Sequence, residues 1–148
     1  MTADCRLTVT VRLARDRAEV DAALALRVKV FCEEQGVSRE DELDGLDEQA
    51  LQIVALDESG IIATCRLRDL GAEWKLERMA VEARVRGLGV GARLLAGAEA
   101  EARDRGAEQM ALHAQIRAEP FYAANGYVPV GERFMDAGIE HIAMRKAL

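Results

Sequence analysis

Val9, Val11 and Leu13 alternate with polar neighbours, a period of two that predicts a first strand. Asp16, followed three residues later by Glu19, predicts a helix start of the capping-box kind. Val20, Leu24, Val28 and Phe31, at spacings of four, four and three, then predict one apolar face of an amphipathic helix, which Gln35-Gly36 ends. After a polar stretch, expected to be loop with a short helical turn, 51–56 and 61–67 predict two strands joined by the four-residue turn Asp57-Glu58-Ser59-Gly60. Trp74 to Val81 predicts a third strand, entered through a short turn at Asp69-Leu70-Gly71. Helical spacing returns at Leu94, Leu95, Ala98 and Ala102, with Glu99 and Arg103 as an i,i+4 pair on the wet side and Gly106 at the end. Met110 to His113 predicts a strand, and Glu119-Pro120 a helix with proline in its first turn, stopped by Asn125-Gly126. Tyr127 to Val130 and Ile139 to Met144 predict the last two strands.

The predicted order is β-α-β-β-β-α-β-α-β-β. It describes an α/β fold with a mixed sheet: an antiparallel meander, then β-α-β units adding parallel strands, with helices on both faces. With no linker or internal repeat, residues 1–148 are expected to form a single domain.

Half the residues are hydrophobic, which suits a packed core and argues against disorder. No apolar run reaches the roughly 18 to 20 residues that cross a bilayer, and Met1-Thr2-Ala3-Asp4-Cys5-Arg6 lacks a signal-peptide pattern. Cys5, Cys32 and Cys65 are odd in number and scattered, so neither a disulfide framework nor a zinc site is indicated and no metal is expected. A cytoplasmic location is the expectation, with no membrane partner. The formal charge of -6 and the lack of a lysine-rich tract argue against a nucleic-acid partner. Eight acidic residues stand against one arginine from Glu33 to Glu48, while Arg84, Arg86 and Arg93 surround a group of glycines. Either these are two solvated surfaces, or they are an acidic mouth for a cationic partner and a basic pocket for an anionic cofactor.

Arg84-Val85-Arg86-Gly87-Leu88-Gly89-Val90-Gly91 runs directly into the helix that begins near Ala92. Glycines leave backbone N–H groups bare, and the helix start aims its unpaired N–H groups and positive dipole end at the same point. Arg84 and Arg86 would add guanidinium donors suited to a diphosphate. A Walker A loop would need Gly-Lys-Ser/Thr where Gly91 is followed by Ala92-Arg93, so that reading fails. Gly87, Gly89 and Ala92 match the dinucleotide fingerprint G-x-G-x-x-A, but polar Glu82, Arg84 and Arg86 stand where an apolar strand should enter.

The remaining arrangement, strand, polar turn, Arg-x-x-Gly-x-Gly, helix, resembles the GCN5-related N-acetyltransferase (GNAT) superfamily. Arg86 to Gly91 looks like its acetyl-CoA diphosphate loop. Leu76-Glu77-Arg78-Met79-Ala80-Val81 looks like its fourth strand, and Pro120-Phe121-Tyr122-Ala123-Ala124-Asn125-Gly126-Tyr127 like the helix-turn closing the cofactor site. Arg27 to Gly36 and Gly138 to Met144 are similar to segments of a bacterial branch of small, uncharacterised acetyltransferases. The resemblance implies a GNAT-like fold and acetyl transfer from acetyl-CoA to a primary amine of a small molecule or peptide, by direct attack in a ternary complex.

It further implies that backbone groups of Met79, Ala80 and Val81 pair with the pantetheine arm, and that an N–H near Met79 or Val81 stabilises the oxyanion. Residues from Arg86 through Gly87, Leu88, Gly89, Val90, Gly91 and Ala92 would hold the diphosphate. Tyr122 matches the tyrosine used as general acid toward the CoA thiolate. For the amine's proton, Glu77, placed with Met79 on one side of a strand, is the first candidate, with Glu34 and His141 behind it. His141 alternates with apolar Ile142 and Met144 and so should face away from the core, while His113 is expected to be structural. Phe31, Glu34, Gln35 and His141 are the acceptor-side expectations. Rival readings are a non-catalytic CoA-binding sensor module and a nicotinamide-dependent oxidoreductase; the oligomeric state, a homodimer included, stays open.

Overall fold

The computed structural model describes residues 8–148, so Cys5 lies outside the described residues. Its centre is a seven-stranded sheet in the order β1-β2-β3-β4-β5-β7-β6. The strands are β1 (Thr10–Leu13), β2 (Leu51–Asp57), β3 (Gly60–Asp69), β4 (Glu73–Val81), β5 (Gln109–Gln115), β6 (Val128–Asp136) and β7 (Ile139–Ala147). β1 to β4 form the antiparallel meander that the alternation and the 57–60 turn predict. β4 and β5 are the one parallel pair among the described strands. β5 and β6 also run in the same direction, but β7 inserts between them, antiparallel to both.

Helices α1 (Arg17–Arg27) and α3 (Val90–Asp104) pack on different faces of the sheet, and the short α2 (Arg39–Glu42) lies between them in the chain. The larger core cluster lies under α3, where Leu94, Leu95, Ala98 and Ala102 meet Ile53, Cys65, Leu67 and Leu76. Leu26 and Val30 cover the other face with Ala80. Asp16 caps α1 by accepting from Glu19 N at 2.9 Å, as the spacing predicts. Glu19 itself turns back to Arg15 N at 2.7 Å and to Arg12.

The apolar face of α1 differs from the expected one. Ala23, Leu26 and Arg27 are buried, whereas Val20 and Leu24 lie only half-buried at its flank. The helix then widens into a π-helical stretch, Val28–Glu34, which changes the angle between successive side chains and brings Phe31 to its inner wall. Glu99 is the second departure. It is buried and accepts from Tyr127 OH at 2.7 Å, and it pairs with Lys146 at 3.0 Å, rather than lying wet beside Arg103. Glu99 thereby ties α3 to β7 and to the chain after α4 (Glu119–Ala124).

Candidate active site

β4 and β5 pair only from Glu73 and Gln109 to Leu76 and Leu112. Beyond that point neither strand is the other's partner, and a cleft of about 1060 Å³ opens between them. A bulge in β4 marks the same place: Arg66 pairs with Glu77 and Thr64 with Ala80, so Arg78 and Met79 together oppose Cys65. Arg78 takes a left-handed φ of 55°, held there by Arg78 Nε to Glu42 Oε2 at 2.8 Å and Nη2 to Asp41 O at 3.0 Å. The extra residue reverses the facing of the residues after it. Glu77 and Ala80 point toward α1, while Met79 and Val81 join the α3-side core. Glu77 and Met79 therefore do not share a side of the strand, contrary to the simple alternation. Tyr122, nearly buried on α4, points its hydroxyl at Met79 Sδ (3.6 Å) and lines the cleft from the α3 side. Burial, with the nearby Cys65 thiol adding to it, pushes the Tyr122 phenol well above its usual range, so it stays protonated.

The glycine loop closes one end of this cleft. Gly87 and Gly89 have φ of 80° and 82°, conformations that only glycine adopts freely, and Gly89 caps the start of α3. Gly87, Gly89, Val90, Gly91 and Ala92 line the cleft, at the end of α3 whose first N–H groups have no helical partner. A Cβ on Gly91 would meet Phe121 Cζ at 3.3 Å, so glycine permits the close approach of α3 to α4. The arginines are arranged differently from the expectation. Arg84 leaves the loop and bonds to Asp57 Oδ2 at 3.3 Å and to Ser59 in the β2–β3 turn. Arg86 lines the cleft but donates to Val81 O at 2.9 Å and pairs with Glu34 Oε1 at 2.8 Å. Leu88 is exposed and turned outward, and the Ala80 side chain packs on α1 rather than in the cleft.

On the α1 side the acidic segment is divided: Glu33, Glu34, Glu40, Asp41 and Glu48 stay exposed, as a solvated face would, while buried Glu42, half-buried Asp47 and also Asp44 turn to buried arginines. Arg27 has a fully buried guanidinium, donating to Glu42 at 2.7 and 3.1 Å and to Asp47 at 2.5 Å. Arg66, also fully buried, donates to Asp44 at 2.8 Å through two nitrogens and to Glu77. Arg78 ties Glu42 to Asp44. Hydrogen bonds from Arg66 hold the Asp44 carboxyl far below the usual range. Burial opposes the same effect at Glu77, but bonds from Arg66 and Arg68 outweigh it and leave Glu77 below its usual range. A carboxylate so held is a poor proton acceptor, which corrects the reading of Glu77 as base. Sequence reasoning missed this network. Its signal was Arg66 inside the apolar run Ile61 to Leu67, since a charge there must find partners.

Phe31 and Gln35 line the cleft, and Gln35 Oε1 accepts from Gln115 Nε2 at 2.8 Å. Glu34 faces Arg86 instead, whose hydrogen bond lowers its pKa. His141 lines the cleft with its Nδ1 2.7 Å from Ile139 O, facing away from the core as its alternation with Ile142 and Met144 requires. His113 also lines the cleft, its ring edge-on to Phe134 at 4.9 Å.

The family model for the acetyltransferase (GNAT) domain matches residues 19–148. The uncharacterized N-acetyltransferase YjcF of Bacillus subtilis is 36% identical over 135 residues, covering 90% of this chain and 96% of YjcF. A proposed N-acetyltransferase from Lactobacillus plantarum superposes with a TM-score of 0.88 at 30% identity, covering 95% of this chain and 98% of that one. An acyl-CoA N-acyltransferase from Pseudomonas aeruginosa gives 0.81 at 30% identity, over 95% of this chain and 100% of its own. The parted β4 and β5, the glycine-capped α3 and the matches over nearly the whole chain agree: this chain belongs to the GNAT acetyltransferase family.

Proposed function

We propose that this chain, as a single domain, transfers an acetyl group from acetyl-CoA to a primary amine of a small molecule or peptide, by direct attack within a ternary complex. The observation that carries the reading is the opening between β4 and β5, which leads from the glycine-capped start of α3 to Tyr122. The Pseudomonas relative, an acyl-CoA N-acyltransferase, supports the choice of acyl carrier. The residues present suit that carrier. The free edge of β4 at Met79 to Val81 offers strand-like pairing to an extended amide chain, and the bare amides from Gly87 to Ala92 suit a diphosphate. When bound, acetyl-CoA supplies an activated thioester.

Backbone N–H groups near Met79 would stabilise the oxyanion of attack, and the β4 bulge aims that segment into the cleft. Tyr122 is protonated and adjacent, and donates its proton to the departing thiolate. The amides rather than the arginines hold the diphosphate, since Arg84 and Arg86 are engaged elsewhere. Calorimetric titration and an acetylation assay test the reading together. Acetyl-CoA should bind with NAD silent, and Tyr122→Phe should slow turnover by about 100-fold or more with little change in acetyl-CoA affinity. Binding of acetyl-CoA without turnover on any of a broad set of amines would favour a sensor module instead.

A further inference from the structure

Tyr122 answers for the leaving group, but Glu77 is locked among cations and Glu34 is turned to Arg86. The attacking amine still needs a group to take its proton. Resting on the acetyl-transfer reading, we propose that His141 is that group.

Three observations converge. First, His141 stands directly across from Gln115 in the β5–β7 register, and cross-strand partners share a face of the sheet. Gln115 in turn bonds Gln35 at the end of the α1 π-helical stretch, so His141 opens on the α1 side of the cleft. Tyr122 enters from the α3 side. Acid and base thus line one cleft from opposite faces of the parted strands. Second, a carbonyl oxygen can only accept, so the 2.7 Å contact to Ile139 O places a proton on Nδ1. The neutral ring then presents a bare Nε2 lone pair. Third, the imidazole lies near-parallel to the Phe134 ring, with 22° between the planes and centroids 5.9 Å apart. His113 lies against the edge of the same Phe134 ring but has no such carbonyl partner among the described residues. Lys75 and Glu77 from β4, Asp136 from β6 and His141 itself act electrostatically on His113, and Arg117, after β5, bonds Gln115, the cross-strand neighbour of His141.

The proton balance closes. An amine arriving as the ammonium gives one proton to His141 Nε2, and the neutral nitrogen attacks the thioester carbon. As the C–N bond forms and the C–S bond breaks, the thiolate takes the Tyr122 proton. The second N–H proton restores the tyrosine, and the imidazolium releases the first to solvent.

The test uses the full chain with the primary amine, from a panel, that wild type acetylates fastest. His141→Gln should lower kcat/KM by roughly 100-fold at pH 7, within the usual range for losing a general base. Its acetyl-CoA affinity should hold. The deficit should shrink steadily as pH approaches the amine's own pKa, where solvent does the deprotonation. His113→Gln should show no such narrowing. A deficit equal at every pH, or narrowing in His113→Gln instead, overturns the assignment. Nitrogen-15 imidazole spectra of the acetyl-CoA complex give a readout independent of turnover. A proton on Nδ1 and none on Nε2 supports the proposal, and the opposite tautomer overturns it. Acetyl-CoA binding with no amine turned over refutes acetyl transfer itself, which is a separate outcome.

Discussion

Replacing Arg27 by methionine probes the buried charge network behind the α1 side of the cleft. The guanidinium is fully buried, and its loss leaves Glu42, only 1% exposed, with Arg78 Nε at 2.8 Å as its remaining side-chain cation. Asp47 keeps Gln52 Nε2 at 3.0 Å and Arg66 Nη1 at 3.3 Å. Removing one member of a buried ion pair costs about 3–5 kcal/mol, because the other charge stays buried. The surviving partners place Arg27→Met at the lower end, about 3 kcal/mol. For a chain of this size each kcal/mol moves Tm by about 2–4 °C, so the expected fall is roughly 6–12 °C. The control is Arg17→Ala, which breaks a pair with Asp21 whose side chains are 76% and 58% exposed. That change should stay within about 0.5 kcal/mol. Urea titrations of both variants, with the slope checked for constancy, read the difference directly. Near-equal losses would refute the claim that the acidic segment folds around buried arginines.

Acid should act on the same network. The Asp44 and Glu77 carboxyls have folded pKa values below their unfolded ones, so they add their full stability above about pH 4 and lose it as pH falls from there through their lower folded values. Burial holds the His113 imidazole below its usual value, which should give a small loss as pH falls below about 6.5, and the urea midpoint should drop most steeply below about pH 4; a midpoint that does not fall below pH 4 would contradict the role of the carboxylates. Glu99→Ala strips the buried Tyr127 hydroxyl of its acceptor and should cost about 1–3 kcal/mol by thermal melting, while Arg103→Ala should cost almost nothing. Gly91→Ala forces Phe121 to give way at 3.3 Å and should weaken acetyl-CoA binding about tenfold, or 1.4 kcal/mol, by calorimetry, with Tm little changed.

Period-two and helical patterns were enough to read the element order, because β2 to β5, β7 and α3 bury apolar residues at those spacings. The 57–60 hairpin and the proline-led start of α4 were legible from turn chemistry alone. The glycine loop was legible for the same local reason, since Gly87 and Gly89 need left-handed backbone whatever surrounds them. What escaped was decided by distant partners. Arg27 and Arg66 recruit Glu42, Asp44, Asp47 and Glu77 from four separate elements and loops, and no local window contains such a pairing. The bulge at Arg78 is likewise set by contacts to Glu42 and Asp44, and it alone moved Met79 to the opposite side from Glu77. Arg84 and Arg86 looked like phosphate ligands beside the glycines, yet Asp57 and Glu34, far off in sequence, claim them.

Amide hydrogen exchange with and without acetyl-CoA tests most directly whether the carrier lies along β4 and at the start of α3. Slowed exchange concentrated at 79–81 and 87–92, absent when NAD replaces acetyl-CoA, is the predicted result. Protection falling elsewhere on the sheet, or appearing equally with NAD, would contradict it.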